Sequence, residues 1–189
     1  MLNAIATLSE RLGDPALSPL PRDGQRRAAV AVVLHGYDLL LMKRSERIGD
    51  PWSGHISLPG GRHEPEDPHL LATAIREARE EMSIDLSSAQ LLGCLPTLHP
   101  LMAGPKGIEV TPFVFSASQL PVVTTSAEAQ AVFWLPLQEV VSGRLDRTFL
   151  HLETSRSFPS WEFEGYTIWG MTMRIINDLI ERMRRREAG

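Results

Sequence analysis

Apolar residues recur along this chain with two periods, which predict where its helices and strands fall. Leu71, Ala74, Ile75, Ala78 and Met82 follow the i, i+3, i+4, i+7 rule, so the spacing predicts an amphipathic helix turning this flank to a core. Asp67 and Pro68, just before it, read as N-cap and first helical residue. Met173, Ile176, Ile180 and Met183 line one face of a final helix over 170–187. Leu2, Ile5, Leu8 and Leu12 line a short helix over 2–12. Residues 27–35 are near-continuously apolar, as in a strand covered on both faces, and Gly36-Tyr37-Asp38 turns them into a hairpin partner at 39–43. Further strands are expected at 56–58, at 90–98 (broken by Gly93 and Pro96), at 109–116 (with Pro112 marking an edge or bulge) and at 131–135. A short helix follows from Pro136, and strands at 148–152, 161–163 and 166–169 complete the sheet. Sheet runs alternating with two long helices predict an α/β fold, a sandwich on a mixed sheet. The Pro- and charge-rich segment 13–24 reads as a surface connector, dividing the chain into an N-terminal helix and connector (1–26) and a main domain (27–189).

The polar flank of the helix after Pro68 is crowded with charge. At about 100° per residue, Glu81 sits about 40° from Glu77 and Glu80 about 60° to its other side, so the three acids share an arc of about 100°. Like charges this close destabilise an isolated helix by a few tenths of a kcal/mol per pair. A hard divalent cation with oxygen ligands would relieve that crowding, and Mg²⁺ is the usual choice where phosphates are handled. Taken alone, such a face is ordinarily solvated, with Arg76–Glu80 as a surface pair.

Composition narrows the classes. The 189 residues, 43% hydrophobic, suffice for one domain with a substantial core. A net charge of −4 leaves no basic footprint and argues against non-specific nucleic-acid binding. The single cysteine, Cys94, excludes an intrachain disulfide and reads as a buried structural thiol in a reducing compartment. No apolar run reaches the ~18 residues that span a bilayer, and the N-terminus lacks signal-peptide features. A soluble, cytoplasmic protein without a membrane partner is expected.

Gly61, then Arg76-Glu77-Ala78-Arg79-Glu80-Glu81 and Ile84, resembles the signature of the Nudix hydrolases, G-x5-E-x7-R-E-U-x-E-E-x-G-U with U aliphatic. That superfamily cleaves nucleoside diphosphates linked to another moiety. Here the interval from Gly61 to Arg76 is one residue longer, which puts Asp67 where a Glu is expected. Ser83 replaces the Gly that takes the left-handed position after the helix. The resemblance spans residues 27–180 and implies an α/β/α sandwich using Mg²⁺ or Mn²⁺. It implies Glu77 and Glu81 as principal metal ligands and Glu80 as a third ligand or the water-activating base. Arg76 would orient the carboxylates through bidentate contacts, and Gly60 and Gly61 would let the backbone approach the metal. Such an ion clamps phosphoryl oxygens and acidifies bound water. Proteins of this fold that only sense nucleotides usually lose box acids, and none is lost here.

Three further segments, LLMKRS (40–45), SGHISLPGG (53–61) and IWGMTMRIINDLIE (168–181), are similar to the coenzyme A diphosphatase branch, as is the longer interval with an Asp. Met42 stands there for Thr and Leu58 for Phe, and Asp50-Pro51-Trp52 lies where basic residues are expected. The resemblance implies cleavage of coenzyme A to 3′,5′-ADP and 4′-phosphopantetheine, with NADH, ADP-ribose or a nucleoside triphosphate as the alternative. A homodimer is compatible with it. Glu128 matches a place where Nudix enzymes bring in an extra acid, as a ligand or base, and otherwise is a solvated loop acid. Arg44, Arg47 and Lys106 are candidates for a substrate phosphate. Glu64 and Glu66 flank the turn. His55 and His63 lack ligand spacing and read as structural; Trp52 either stacks on a base or packs its loop; Arg182, Arg184, Arg185 and Arg186 suit a helix C-terminus.

Overall fold

The apolar run at 27–35 becomes the central strand of the molecule, whose computed structural model describes residues 5, 7–14, 26–49, 52–99, 107–151 and 154–184. Strand β1 (Arg27–His35) is buried from Ala28 to Leu34. It pairs in parallel with β6 (Glu109–Ser116) from Arg27 to Leu34, and antiparallel with β2 (Asp38–Arg44) only at Leu34↔Leu39 and His35↔Asp38. Where β2 leaves, β4 (Gly60–Arg62) takes its place, with Ala28 opposite Arg62 and Val30 opposite Gly60. This wedge brings the Gly-Gly turn into the middle of the sheet. With β3 (Ile56–Ser57), β5 (Gln90–Cys94) and β7 (Ala129–Pro136), the mixed sheet has seven strands in the order β3-β2-β1-β6-β5, β4 lying on β1 and β7 on β2.

Side-chain alternation along β1 sends Ala29, Ala31 and Val33 to one face and Val30, Val32 and Leu34 to the other. The first face is covered by Leu70, Ala74, Ala78 and Met82 of helix α1 (Leu70–Met82). After the short α2 (Leu137–Val141), the other face is covered by Ile175, Ile176, Leu179 and Ile180 of α3 (Gly170–Arg184). The expected α/β/α layering on a mixed sheet is what forms. Among the described residues, no helix is long and apolar enough to cross a membrane.

Four expectations need correction. Helix α1 begins at Leu70, with His69 as N-cap, so Asp67 is not a cap. Its buried face is also rotated: Ile75 is 37% exposed, whereas Glu81 is buried. The last three strands, β8 (Asp146–His151), β9 (Arg156–Phe163) and β10 (Tyr166–Trp169), form their own antiparallel sheet, because Trp161 and Ile168 turn onto the α3-side core instead of extending an edge. Near the N-terminus the described residues show a 3-10 turn (Leu8–Arg11) with Leu8 sealed in the core, and Arg11 and Arg182 each donate to the other's carbonyl at 3.1 and 2.8 Å. Most of the connector, residues 50 and 51, and Lys106 lie outside the described residues.

Candidate active site

Helix α1 is fixed at both ends, and that fixes which way its acids point. At its start, His69 Nδ1 accepts the Ala72 N–H at 3.0 Å. At its end, Ser83 adopts φ 56°, and the N–H groups of Ser83 and Ile84 donate to Arg79 and Ala78 carbonyls at 2.9 and 3.3 Å. Ser83 thus takes the left-handed position that Gly would fill. Held so, Glu81 points inward with 2% of its side chain exposed. Its Oε2 accepts the Gly60 N–H at 2.8 Å, and its Oε1 lies 3.7 Å from Arg44 Nη1. Burial drives its pKa up to about 7; the Glu77 and Glu128 charges push the same way, while the Gly60 N–H and Arg44 pull it down. Glu77 is mostly buried beside it, and burial raises its pKa as well. Glycine is required at Gly60, where a Cβ would overlap the backbone of Ala29 and Val30, and a Cβ at Gly61 would push the Glu77 carboxylate from its place.

Arg76 joins the two flanks of this site. Its Nε and Nη2 donate to Asp67 Oδ1 and Oδ2, both at 3.0 Å, and Nη2 also reaches the Arg62 carbonyl at 3.0 Å. Its Nη1 donates to Glu77 Oε1 and Glu80 Oε2, both at 2.9 Å. The bidentate partner expected among the box acids is therefore Asp67. That buried carboxylate also accepts Thr73 Oγ1–H at 2.8 Å and the Glu64 N–H at 3.1 Å. Arg76's hydrogen bonds, foremost, hold its pKa down at about 2, and the same bonds raise that of Arg76.

The rim is looser. Glu128 and Arg47 are half-exposed and paired at 3.0 Å, and the Glu128 carbonyl accepts the Ser45 N–H at 2.9 Å. The Glu128 charge adds to the upward push on the pKa values of Glu77 and Glu81. Arg44, read from sequence as a candidate for a substrate phosphate, faces the buried acid with its guanidinium still partly exposed. His55 lies against Trp169, and His63 Nε2 is 3.1 Å from the Asp67 carbonyl, away from the acids. Glu64 is 3.9 Å from Arg76, and Glu66 is exposed. The Gly60 N–H, Arg44 and Thr73 contacts escaped the sequence reading, since no motif spacing encodes them.

Among the described residues, no three His, Cys, Asp or Glu side chains converge into a ready-made ion cage. Glu80 turns outward to Arg76 and is 58% exposed. Glu77 and Glu81 are nonetheless a fitting donor pair for a hard cation. Their oxygens are sheltered, their proton affinity is raised, and one N–H and an arginine at 3.7 Å do not saturate Glu81.

A buried acid pair beside a Gly-Gly turn, on the helix of an α/β/α sandwich, is the arrangement of a hydrolase whose acids suit a hard cation. The NUDIX domain family matches residues 25–158, and the chain belongs to the Nudix hydrolases, acting on diphosphate bonds. Nudix hydrolases generally use divalent metal ions. A relative in Yersinia pestis (strain Pestoides F), named Uncharacterized Nudix hydrolase NudL, is 33% identical over 165 residues, covering 84% of this chain and 80% of its own. The protein of the same name in Yersinia pseudotuberculosis serotype O:1b matches equally. Among solved structures, the NUDIX domain of Shewanella oneidensis NrtR, complexed with ADP ribose, superposes with a TM-score of 0.55 at 19% identity, over 90% of this chain and 93% of that one. A MutT/nudix family protein from Enterococcus faecalis gives 0.56 at 18%, over 87% and 64%. These two likenesses concern the fold alone.

Proposed function

We propose that the substrate is coenzyme A or an acyl-CoA, cut at its diphosphate to 3′,5′-ADP and 4′-phosphopantetheine. The observation that carries this reading is the convergence of the three segments that resemble that branch. Met42 and Lys43 of segment 40–45 pair with Ser57 and Ile56 of segment 53–61. From segment 168–181, Thr172 Oγ1 donates to the Ile56 carbonyl at 3.0 Å, and the Trp169 ring lies 5.3 Å from His55. Arg44 ties this assembly to the acids: its N–H donates to the His55 carbonyl at 3.0 Å, and its guanidinium faces Glu81.

In this reading Glu77 and Glu81 hold Mg²⁺ or Mn²⁺ with the Gly61 backbone alongside, and Glu80 is a third ligand or the base. When bound, the ion supplies charge neutralisation and an acidified water. Arg76, gripped by Asp67, keeps Glu77 and Glu80 in place. Arg44, Arg47 and Lys106 serve the substrate's phosphates, and Glu128 acts at the rim as a further ligand or base. The test is chromatography of the products formed from coenzyme A, NADH, ADP-ribose and a nucleoside triphosphate with Mg²⁺. The expected products are 3′,5′-ADP and 4′-phosphopantetheine. Intact coenzyme A beside turnover of another diphosphate would overturn the substrate assignment.

A further inference from the structure

The three-stranded sheet has two unlike faces. Trp161, Phe163, Tyr166 and Ile168 alternate onto the face that meets the core, where Tyr166 stacks on Phe133 at 4.7 Å. The opposite face carries Phe149 and His151 of β8, Phe158 of β9 and Trp169 of β10, with Phe149 in register with Phe158 and Ser160 in register with Trp169. Ring centroids lie 4.7 Å apart for Phe149–Trp169, and 5.5 Å for both Phe158–Trp169 and His151–Trp169. His55 extends the row from the loop before β3. All five rings remain partly exposed, so they form a floor open to solvent. Two polar atoms in this face, His151 Nδ1 and Ser160 Oγ, are sealed from solvent without a hydrogen-bond partner among the described residues.

The floor adjoins the acids. His55 is bonded through its carbonyl to the Arg44 N–H, and Arg44 Nη1 is the cation beside Glu81. Neighbouring strands lie ~4.8 Å apart, so the floor begins at the strand next to Arg44, the arginine that faces Glu81. The occupant is identified by two properties, a flat π surface and an edge able to hydrogen-bond. An aliphatic arm would use the rings but offer neither a flat face to Trp169 nor a donor or acceptor to the partly exposed His151 ring. Heterocyclic bases stack on aromatic side chains whatever their identity, and their edges carry donors and acceptors.

We infer that this aromatic floor is the subsite for the heterocyclic base of the substrate, stacked on the rings around Trp169 and hydrogen-bonded by His151. The inference rests on the diphosphatase reading of the adjoining site, and not on coenzyme A being the substrate. Its test uses ADP and inorganic pyrophosphate as probes of the full chain, read through the indole N–H signals of the four tryptophans, with that of Trp169 assigned by Trp169→Phe. ADP is expected to shift the Trp169 signal, and pyrophosphate to leave it in place. Phe149→Ala and His151→Ala are expected to weaken ADP binding about tenfold or more, equivalent to about 1.4 kcal/mol, with pyrophosphate binding and circular dichroism unchanged. Phe149→Tyr is expected to restore it. A Trp169 signal unmoved at saturating ADP would overturn the inference, as would folded variants that bind ADP as the parent does. If the parent hydrolyses no diphosphate yet ADP still moves Trp169, the hydrolytic reading falls and the base subsite stands.

Discussion

Asp67 and Glu81 flank the same helix and are about equally hidden, at 7% and 2% exposure, yet their proton affinities move in opposite directions. Asp67 is held at about 2 and Glu81 is pushed up to about 7. Burial disfavours both charges, so the difference lies in the partners. Asp67 has two guanidinium nitrogens, a hydroxyl and a backbone N–H at hydrogen-bonding distance. Glu81 has one backbone N–H at 2.8 Å and an arginine at 3.7 Å. One carboxylate is a completed joint, and the other keeps bonding capacity that a cation would use.

The harshest way to break this contrast is Glu81→Gln. Turnover is expected to fall by orders of magnitude in a steady-state assay with Mg²⁺, since an amide carries no charge for the ion. Stability is expected to move the other way. The folded-state pKa of Glu81 is raised, so its ionisation penalises the fold, not at all below about 4.5 and fully above about 7. That shift, at 1.36 kcal/mol per unit, corresponds to about 3 kcal/mol. With a chelator at pH 8 the Gln variant should therefore melt above the parent; a lower melting temperature would show that Glu81 carries no such penalty.

Asp67→Asn attacks the opposite member. An amide cannot accept both Arg76 nitrogens, and a guanidinium that is only 22% exposed loses its main partner, a loss of about 2 kcal/mol or more in urea unfolding at neutral pH. Because the Asp67 pKa is lowered on folding, its contribution is fully present above 3.8 and lost as pH falls through about 2, about 2 kcal/mol in all. The parent should lose that stability between pH 4 and pH 2, and Asp67→Asn should not. Equal slopes for the two proteins would contradict the clamp. Turnover should drop less than in Glu81→Gln, because Arg76 bonds Glu77 and Glu80 and leaves Glu81 in place.

How far the sequence could be read follows the same division. Periodicity located α1, β1 and α3, because a two- or 3.6-residue repeat is a local property of the chain. The acid triad and Gly-Gly turn were also legible, because their spacing is local. Which acid points inward was not, because the azimuth of α1 is set by His69, Ser83 and the wedge of β4, all of them tertiary. Asp67 was misread as a cap because an Asp before a Pro has that local signature, while its partner Arg76 lies nine residues on. The second sheet was invisible for a similar reason: β8 to β10 alternate like any strands, and only Trp161 and Ile168 meeting the α3 side separates them from the larger sheet.

Glu128→Gln sharpens the contrast at the rim. Half-exposed and paired with Arg47, Glu128 resembles neither extreme. Its removal should reduce turnover far less than Glu81→Gln and leave the melting temperature nearly unchanged, since exposed ion pairs contribute about 0–1 kcal/mol. A loss equal to that of Glu81→Gln would place it directly on the ion.

The smallest effect should come from Ser83→Gly, which touches neither carboxylate. Ser83 sits at φ 56°, where a side chain costs about 1–2 kcal/mol and glycine nothing. Glycine loses more backbone freedom on folding, so the net gain should be below about 1 kcal/mol in thermal unfolding. The Ser83 and Ile84 N–H groups bond to the backbone and survive the change, so the cap should still aim Glu81 at Gly60. Turnover should then match the parent. A Ser83→Gly enzyme that gains stability but loses turnover would show that the stiffness of this cap, and not only its shape, keeps Glu81 turned inward.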